Sequence, residues 1–203
     1  QNENPLGSKD ILNDADDGCS YSKAHSLYHP VFRNFLQRLG IYDFFLVDAD
    51  SGNIVYSVYK EIDFATSLKT GSFSGTNFAQ TFQDSITGGR RDTVAFADFD
   101  NYLPSYQLPA GFIAAPIYSG RELKGAVIYQ LPIDKITEII GESTGMGETG
   151  ETYAVAADGL FRSESRFLET LGVKSTIINP KLRVDTYAVQ SALELGESGT
   201  KLI

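Results

Sequence analysis

The sequence predicts an α+β fold: a long N-terminal helix, then a five-stranded antiparallel sheet, then an incomplete second copy of the same theme. Three observations carry this. Apolar residues between 20 and 39 recur at helical spacing. From residue 43 the pattern switches to short β-branched and aromatic runs separated by turn residues. The runs follow one another as hairpins, which makes the sheet antiparallel and keeps the helices apart from it.

Residues 1–18 are polar and acidic and read as a frayed start. The first helix spans 20–39, with Tyr21, Leu27, Tyr28, Val31, Phe32, Phe35, Leu36 and Leu39 near i, i+3, i+4 and i+7. Pro30 is expected to kink or divide it, because proline has no N–H for the helical ladder. Gly40 suits its C-terminal end. Strands are expected at 43–48 and 54–59, joined by the turn Asp50-Ser51-Gly52-Asn53. The segment 60–92 is rich in Gly, Ser, Thr and Asn and carries a short helix over 77–86. Further strands are expected at 93–99, 111–118 and 124–131, then an amphipathic helix at 133–141. After a Gly-rich linker at 142–150 the theme restarts: strand 151–156, turn Ala157-Asp158-Gly159, strand 160–163. This copies the hairpin at 44–57. The expected layout is therefore an N-terminal helical region at 1–40, a complete module at 41–141 and a partial second module at 151–203.

Lys and Arg total 17 against 26 Asp and Glu, a formal net charge of −9. Such a surface repels polyanions, and the longest basic cluster is Arg90-Arg91, so no nucleic-acid partner is expected. The single cysteine, Cys19, excludes an intrachain disulfide and a thiolate metal cage. No apolar run reaches the length of a membrane span. Both ends read as cuts in a longer protein.

Several catalytic motifs match in letters but not in context. Gly145-Met146-Gly147-Glu148-Thr149-Gly150 fits G-x-G-x-x-G, yet it follows a helix and precedes a strand, the reverse of a dinucleotide loop. Gly141-Glu142-Ser143-Thr144-Gly145 fits a nucleophile elbow but has no histidine after it. Ser20-Tyr21-Ser22-Lys23 lacks the companion motifs of penicillin-recognising enzymes. His25 and His29 share a helix face at i, i+4, without a third metal ligand in reach. No catalytic residue, metal site or cofactor is expected.

A small polar ligand pocket is the more informative reading. Tyr56, Tyr59, Lys60 and Asp63 follow the second strand, and Asp98, Tyr102, Ser105 and Tyr106 follow the third. Phe112 and Ala114 alternate on the fourth strand, and Gln130 ends the fifth. Small residues leave space beside the sheet, while Lys60 is suited to a carboxylate and Asp98 to an ammonium or hydroxyl.

Three stretches carry a family resemblance: YDFFLVDADSGNIVYSVYKEIDFATSL at 42–68, GFIAAPIYSGRELKGAVIYQLPIDKI at 111–136, and GETGETYAVAADGLFRSESRF at 147–167. Together they resemble the double-Cache (PDC, PAS-like) extracytoplasmic sensor domains of bacterial chemoreceptors, sensor histidine kinases and cyclases. The resemblance implies a periplasmic domain of a membrane-anchored parent, no enzymatic activity, and a homodimer through the N-terminal helix. It implies a ligand site in the module at 41–141 and an incomplete PAS-like module after it, with 168–203 irregular or helical. By position the ligand residues are Tyr56, Lys60, Asp63, Asp98, Tyr106, Phe112, Ala114 and Gln130. Amino-acid-binding members place an Asp where this chain has Gln130, and lack of their Arg and Trp-Tyr around 64–79 further turns the expectation to a small carboxylate held by Lys60 and tyrosine hydroxyls. The alternative is a non-sensing dimerisation or spacer domain.

Overall fold

The structure, a computed structural model, describes residues 4, 5, 7–196 and 198. The chain divides into two compact units, Gln1–Pro132 and Ile133–Ile203. The division falls before the helix at 133, earlier than the boundary expected at 141.

The first unit opens with a 3-10 turn, Lys9–Ile11, and helix α1, Ser20–Leu39. Gly40 closes α1 at φ 64°, a left-handed conformation that lets its N–H reach the carbonyls of Gln37 and Leu36. Pro30 does not divide α1, which runs unbroken through it. Buried Ser22, His25 and His29 on one side of Pro30 and Leu36 on the other fix the helix over both halves, so packing outweighs the one missing ladder bond. Of the apolar residues that predict α1, Leu27, Tyr28, Val31, Phe35 and Leu39 lie exposed, and the buried face is largely polar.

The sheet comprises β1 (Asp43–Asp48), β2 (Ile54–Ser57), β3 (Ala95–Tyr102), β4 (Leu108–Ser119) and β5 (Glu122–Gln130). Their order is β2-β1-β5-β4-β3, antiparallel throughout. β2 is shorter than expected, because the chain turns away at Lys60 with a positive φ. β3 begins and ends later than expected, and its ladder shifts register between Ala97 and Asp100. That bulge opposes Gly111, where an added Cβ would lie 3.3 Å from both the Ala97 carbonyl oxygen and the Phe99 ring. Helix α2, Asn77–Ile86, is capped by Thr76 and matches the expected span. Its Asn77 side-chain amide donates to the carbonyls of Asp98 (2.9 Å) and Ala110 (2.7 Å), tying the helix start to both bulged strands.

Alternation along the strands gives the sheet two buried faces. Phe45, Val47, Ile54, Phe112, Ala114, Ala126 and Ile128 pack under Phe78, Ala79 and Phe82 of α2. Phe78 stacks on Phe112 at 4.6 Å and 11°. Phe44, Tyr56 and Val58 face the other way, against Leu36 and Phe32 of α1.

The second unit contains α3 (Ile133–Ile140), α4 (Leu168–Leu171) and α5 (Tyr187–Leu195). The expected strands at 151–156 and 160–163 shorten to isolated bridges: Val155 to Phe161 between them, and Leu160 to Arg183 and Phe161 to Ile177 beyond. Its buried side chains are polar: Arg162, Ser163, Ser165 and Thr176. Thr176 accepts from Ser165 N (2.9 Å), donates to the Ser163 carbonyl (3.0 Å), and its N–H reaches Glu164 (2.7 Å).

Candidate ligand site

Asp43 opens β1 on the α2 face, directly across from Gln130 in the β1–β5 register. Gln130 in turn pairs with Phe112 across β5–β4. Asp43 is completely buried. Its Oδ1 accepts the backbone N–H of Phe44 (2.6 Å) and Val58 (2.9 Å), whereas Oδ2 has no donor. Asp63 is also completely buried; Oδ2 accepts the Tyr102 hydroxyl at 2.7 Å and Oδ1 has no donor. Gln130 donates from Nε2 to Ser105 Oγ at 2.9 Å, and its Oε1 has no donor. Glu61 completes the group, accepting from Tyr42 (3.2 Å) and Ser105 (3.3 Å).

Two buried carboxyl groups and a buried carboxamide oxygen thus lie near the half-buried carboxyl of Glu61. Burial disfavours the charged form of a carboxylate, and neighbouring carboxylates add to the effect. Burial accordingly raises Asp43 well above the usual carboxylate range, and Asp63 as well. Glu61 is pushed up to about 7 by burial first and by the Asp63 charge second. Burial and the Asp63 charge together hold the Tyr102 hydroxyl firmly protonated.

Glu61 leads from this cluster to the surface. It lines two adjoining cavities of about 220 and 390 Å³, which share Gly7, Tyr59 and Tyr106. Lys9 and Lys60 line the smaller one, Leu36 and Tyr42 the larger. Lys60, Ala65, Tyr106 and Gln107 flank this region with positive φ, a conformation that costs a residue with a Cβ roughly 1–3 kcal/mol.

The residues expected at the site separate into groups. Asp63 and Gln130 belong to the acid cluster, and Lys60 and Tyr106 line its mouth. Phe112 and Ala114 are fully buried under α2 as core. Lys60 Nζ is held by the carbonyls of Ser57 (2.9 Å) and Val58 (3.4 Å) and sits 4.9 Å over the Tyr56 ring. Burial pushes it down to about 8. Asp98 is exposed at the β3 bulge, where its carboxylate accepts the Phe99 N–H at 2.7 Å. Tyr56 lies on the opposite face of the sheet, because Val55 is left over in the β1–β2 ladder and the next side chain turns toward α1. There its hydroxyl meets His29 Nδ1 at 2.6 Å.

Sequence reasoning missed Asp43, Glu61 and Tyr42 as site residues. One signal was present: in Asp43-Phe44-Phe45-Leu46-Val47 the carboxylate shares the period-two face of Phe45 and Val47, a charge on a core stripe.

No protein-family model matches the chain, and no curated protein matches it in sequence. Solved structures match its fold. The ligand-binding domain of the Campylobacter jejuni chemoreceptor Tlp3 in complex with 4-methylisoleucine superposes with a TM-score of 0.54 at 12% identity, over 82% of this chain and 56% of that one. The sensory domain of the same receptor gives a TM-score of 0.54 at 12% identity, covering 83% and 59%. The ligand-binding domain of the Pseudomonas aeruginosa amino acid chemoreceptor PctC in complex with GABA gives 0.52 at 15% identity, covering 86% and 69%. The chain spans less than two thirds of the Tlp3 domains it matches. At these identities the likeness is one of architecture. The chain shares the PAS-like α+β fold of these chemoreceptor ligand-binding and sensory domains.

Proposed function

We propose that the chain is the ligand-sensing part of a membrane-anchored bacterial receptor, extracytoplasmic in location, that binds a small molecule rather than transforming one. The observation that carries this reading is the buried acid cluster with oxygens lacking donors, whose neighbour Glu61 also lines a surface groove, in a fold shared with ligand-binding domains. Buried polar atoms are nearly always satisfied, and exceptions of this density mark a place for a guest. Carboxyls at the bottom suit an ammonium group. A carboxylate, the ligand expected from Lys60, fits the mouth beside Lys60 and Lys9 rather than the acid cluster. The reading therefore favours a molecule entering ammonium first, with or without a carboxylate at its other end.

A route for the signal is supported by β2. Asp43 holds the Val58 N–H on one face, and two residues earlier Tyr56 holds His29 of α1 on the other. A ligand that moves Asp43 pulls on the strand that grips α1. The shift is useful only if the ligand binds two states of the domain unequally. The exposed stripe Leu27, Tyr28, Val31 and Phe35 supports a homodimer through α1, since such a stripe is buried in a soluble assembly. The same stripe would also serve a non-sensing spacer.

A thermal-shift screen with short amines, amino acids, carboxylates and sugars tests the reading. A saturable rise in melting temperature with one class is expected. No shift with any class would leave only the spacer.

A further inference from the structure

Hydrogen bookkeeping in the acid cluster does not close. Tyr42 and Ser105 each give one hydrogen to Glu61, Tyr102 gives one to Asp63, and Gln130 gives one to Ser105. Asp43 Oδ2, Asp63 Oδ1 and Gln130 Oε1 receive none. Turning the Gln130 amide over does not repair this. Its NH2 would then serve Asp43, but Ser105 would have one hydrogen for two acceptors, Gln130 and Glu61, and Asp63 would still have none. Nor does a bonded cation serve Asp43 Oδ2 or Asp63 Oδ1. Lys60 lies near enough to feel the Asp43 charge, but its ammonium is held by two backbone carbonyls, and Lys9 lines the outer cavity beside Glu61. Two completely buried carboxylates without a bonded cation would be costly enough to force neutralisation.

We infer that the empty cluster is sealed by its own protons, and that a ligand ammonium enters in exchange for them, so that binding releases protons to solvent. This rests on the reading of the cluster as the ligand site. Charge balances in the exchange when one cation enters and one proton leaves for water; a second proton released would leave the cluster with one net negative charge. Asp43 and Gln130 are cross-strand partners, so a proton held on Asp43 sits on the same stretch of sheet as the Gln130 carboxamide. The ammonium, with three N–H donors, matches the same three oxygens.

The neighbouring titratable groups do not supply the released protons near pH 6.5. Tyr42, Tyr56 and Tyr102 are all raised and stay protonated. Lys60, at about 8, remains largely charged. His29, pushed down to about 4 on the other face, is already neutral. The carboxyls of Asp43, Asp63 and Glu61 are left, all raised by burial.

The test uses the whole chain in weakly buffered solution at pH 6.5, titrated with pH-matched 1-aminobutane, γ-aminobutyrate and butyrate while a pH indicator counts protons. Expected is binding of an ammonium probe with a release approaching one proton or more per site. Affinity should then rise about tenfold per pH unit for each proton released, until the empty cluster ionises. Asp43→Asn should keep its fold, bind at least tenfold more weakly and release fewer protons. Ammonium binding without proton release would overturn the exchange while leaving the ligand site standing. Binding of butyrate alone would overturn the choice of ligand charge and the exchange with it. No binding by any probe, joined to a flat thermal-shift screen, would overturn the site itself.

Discussion

The two faces of the sheet bury polar groups under opposite terms. Toward α1, His29 is fully used: Nε2 donates to the Asp10 carbonyl (2.5 Å) and Nδ1 accepts from Tyr56 (2.6 Å). His25 stacks on it at 4.3 Å and donates from Nδ1 to the Asn13 carbonyl at 2.8 Å. Arg33 adds a second bond to the Asp10 carbonyl at 2.8 Å. The histidines thus strap residues 10–13 onto α1, and among the described residues on that face His25 Nε2 alone is a buried side-chain atom without a partner. Toward α2, three oxygens lack donors within one cluster. A polar group that has found its partners is architecture, whereas several that have not, close together, are provision for something else. That contrast is what supports reading the i, i+4 histidine pair, the more conspicuous motif in the sequence, as structural and proposing Asp43 for the ligand site.

The largest effect that sharpens this contrast is apolar. Phe78→Ala removes the ring stacked on Phe112 beneath the acid cluster and should cost about 3–5 kcal/mol in urea unfolding. Phe32→Ala on the half-buried α1 side should cost less. If the two were equal, the α2 face would not be the main core. Next, Tyr56→Phe strands His29 Nδ1 without a donor and should cost about 1–3 kcal/mol. A neutral result would mean that the strap is not fastened there.

Asp43→Asn should move stability the other way, by about 1 kcal/mol, because the amide keeps an acceptor for Phe44 and Val58 and removes the cost of neutralising a buried carboxyl. Destabilisation would show that the carboxylate is charged and paired in the empty protein. Acidity separates the faces directly. Burial depresses the His29 and His25 pKa values, so their stabilisation is complete above about 6.5; that of His29 fades as pH falls toward about 4, and that of His25 fades on acidification as well. Asp43 and Asp63 are raised, so their contribution is largest at low pH and is lost as pH rises from 3.8 through their folded values. The slopes oppose each other between pH 4 and 6.5. Melting curves of Asp43→Asn should therefore fall more steeply on acidification than those of the parent. The smallest effect on the fold belongs to Val31→Asp on the exposed stripe, under about 0.5 kcal/mol, while sedimentation should show loss of any dimer.

Much of the fold was legible because it is written locally. Both α1 and α2 match their expected spans, since a cap and a 3.6-residue period mark each end. β3 was misplaced because the bulge at Asp98 and Phe99 breaks the alternation that signals a strand. Periodicity located the apolar stripe of α1 but not the direction it faces, because a helix with two usable faces is oriented by its neighbours. Half the site escaped for a similar reason. Asp43 becomes exceptional only when β5 places Gln130 beside it and the loop after β2 brings Asp63 and Glu61 near, which no single stretch of sequence displays.

The second unit carries a consequence of its own. Among its described residues the buried side chains are a serine–threonine–arginine set, bound in part through Glu164 and Thr176. Heat-capacity change on unfolding follows exposed apolar area, and polar exposure lowers it. Opening this unit should therefore carry a small heat-capacity change for its length, and amide exchange should record Ile133–Ile203 opening before Gln1–Pro132.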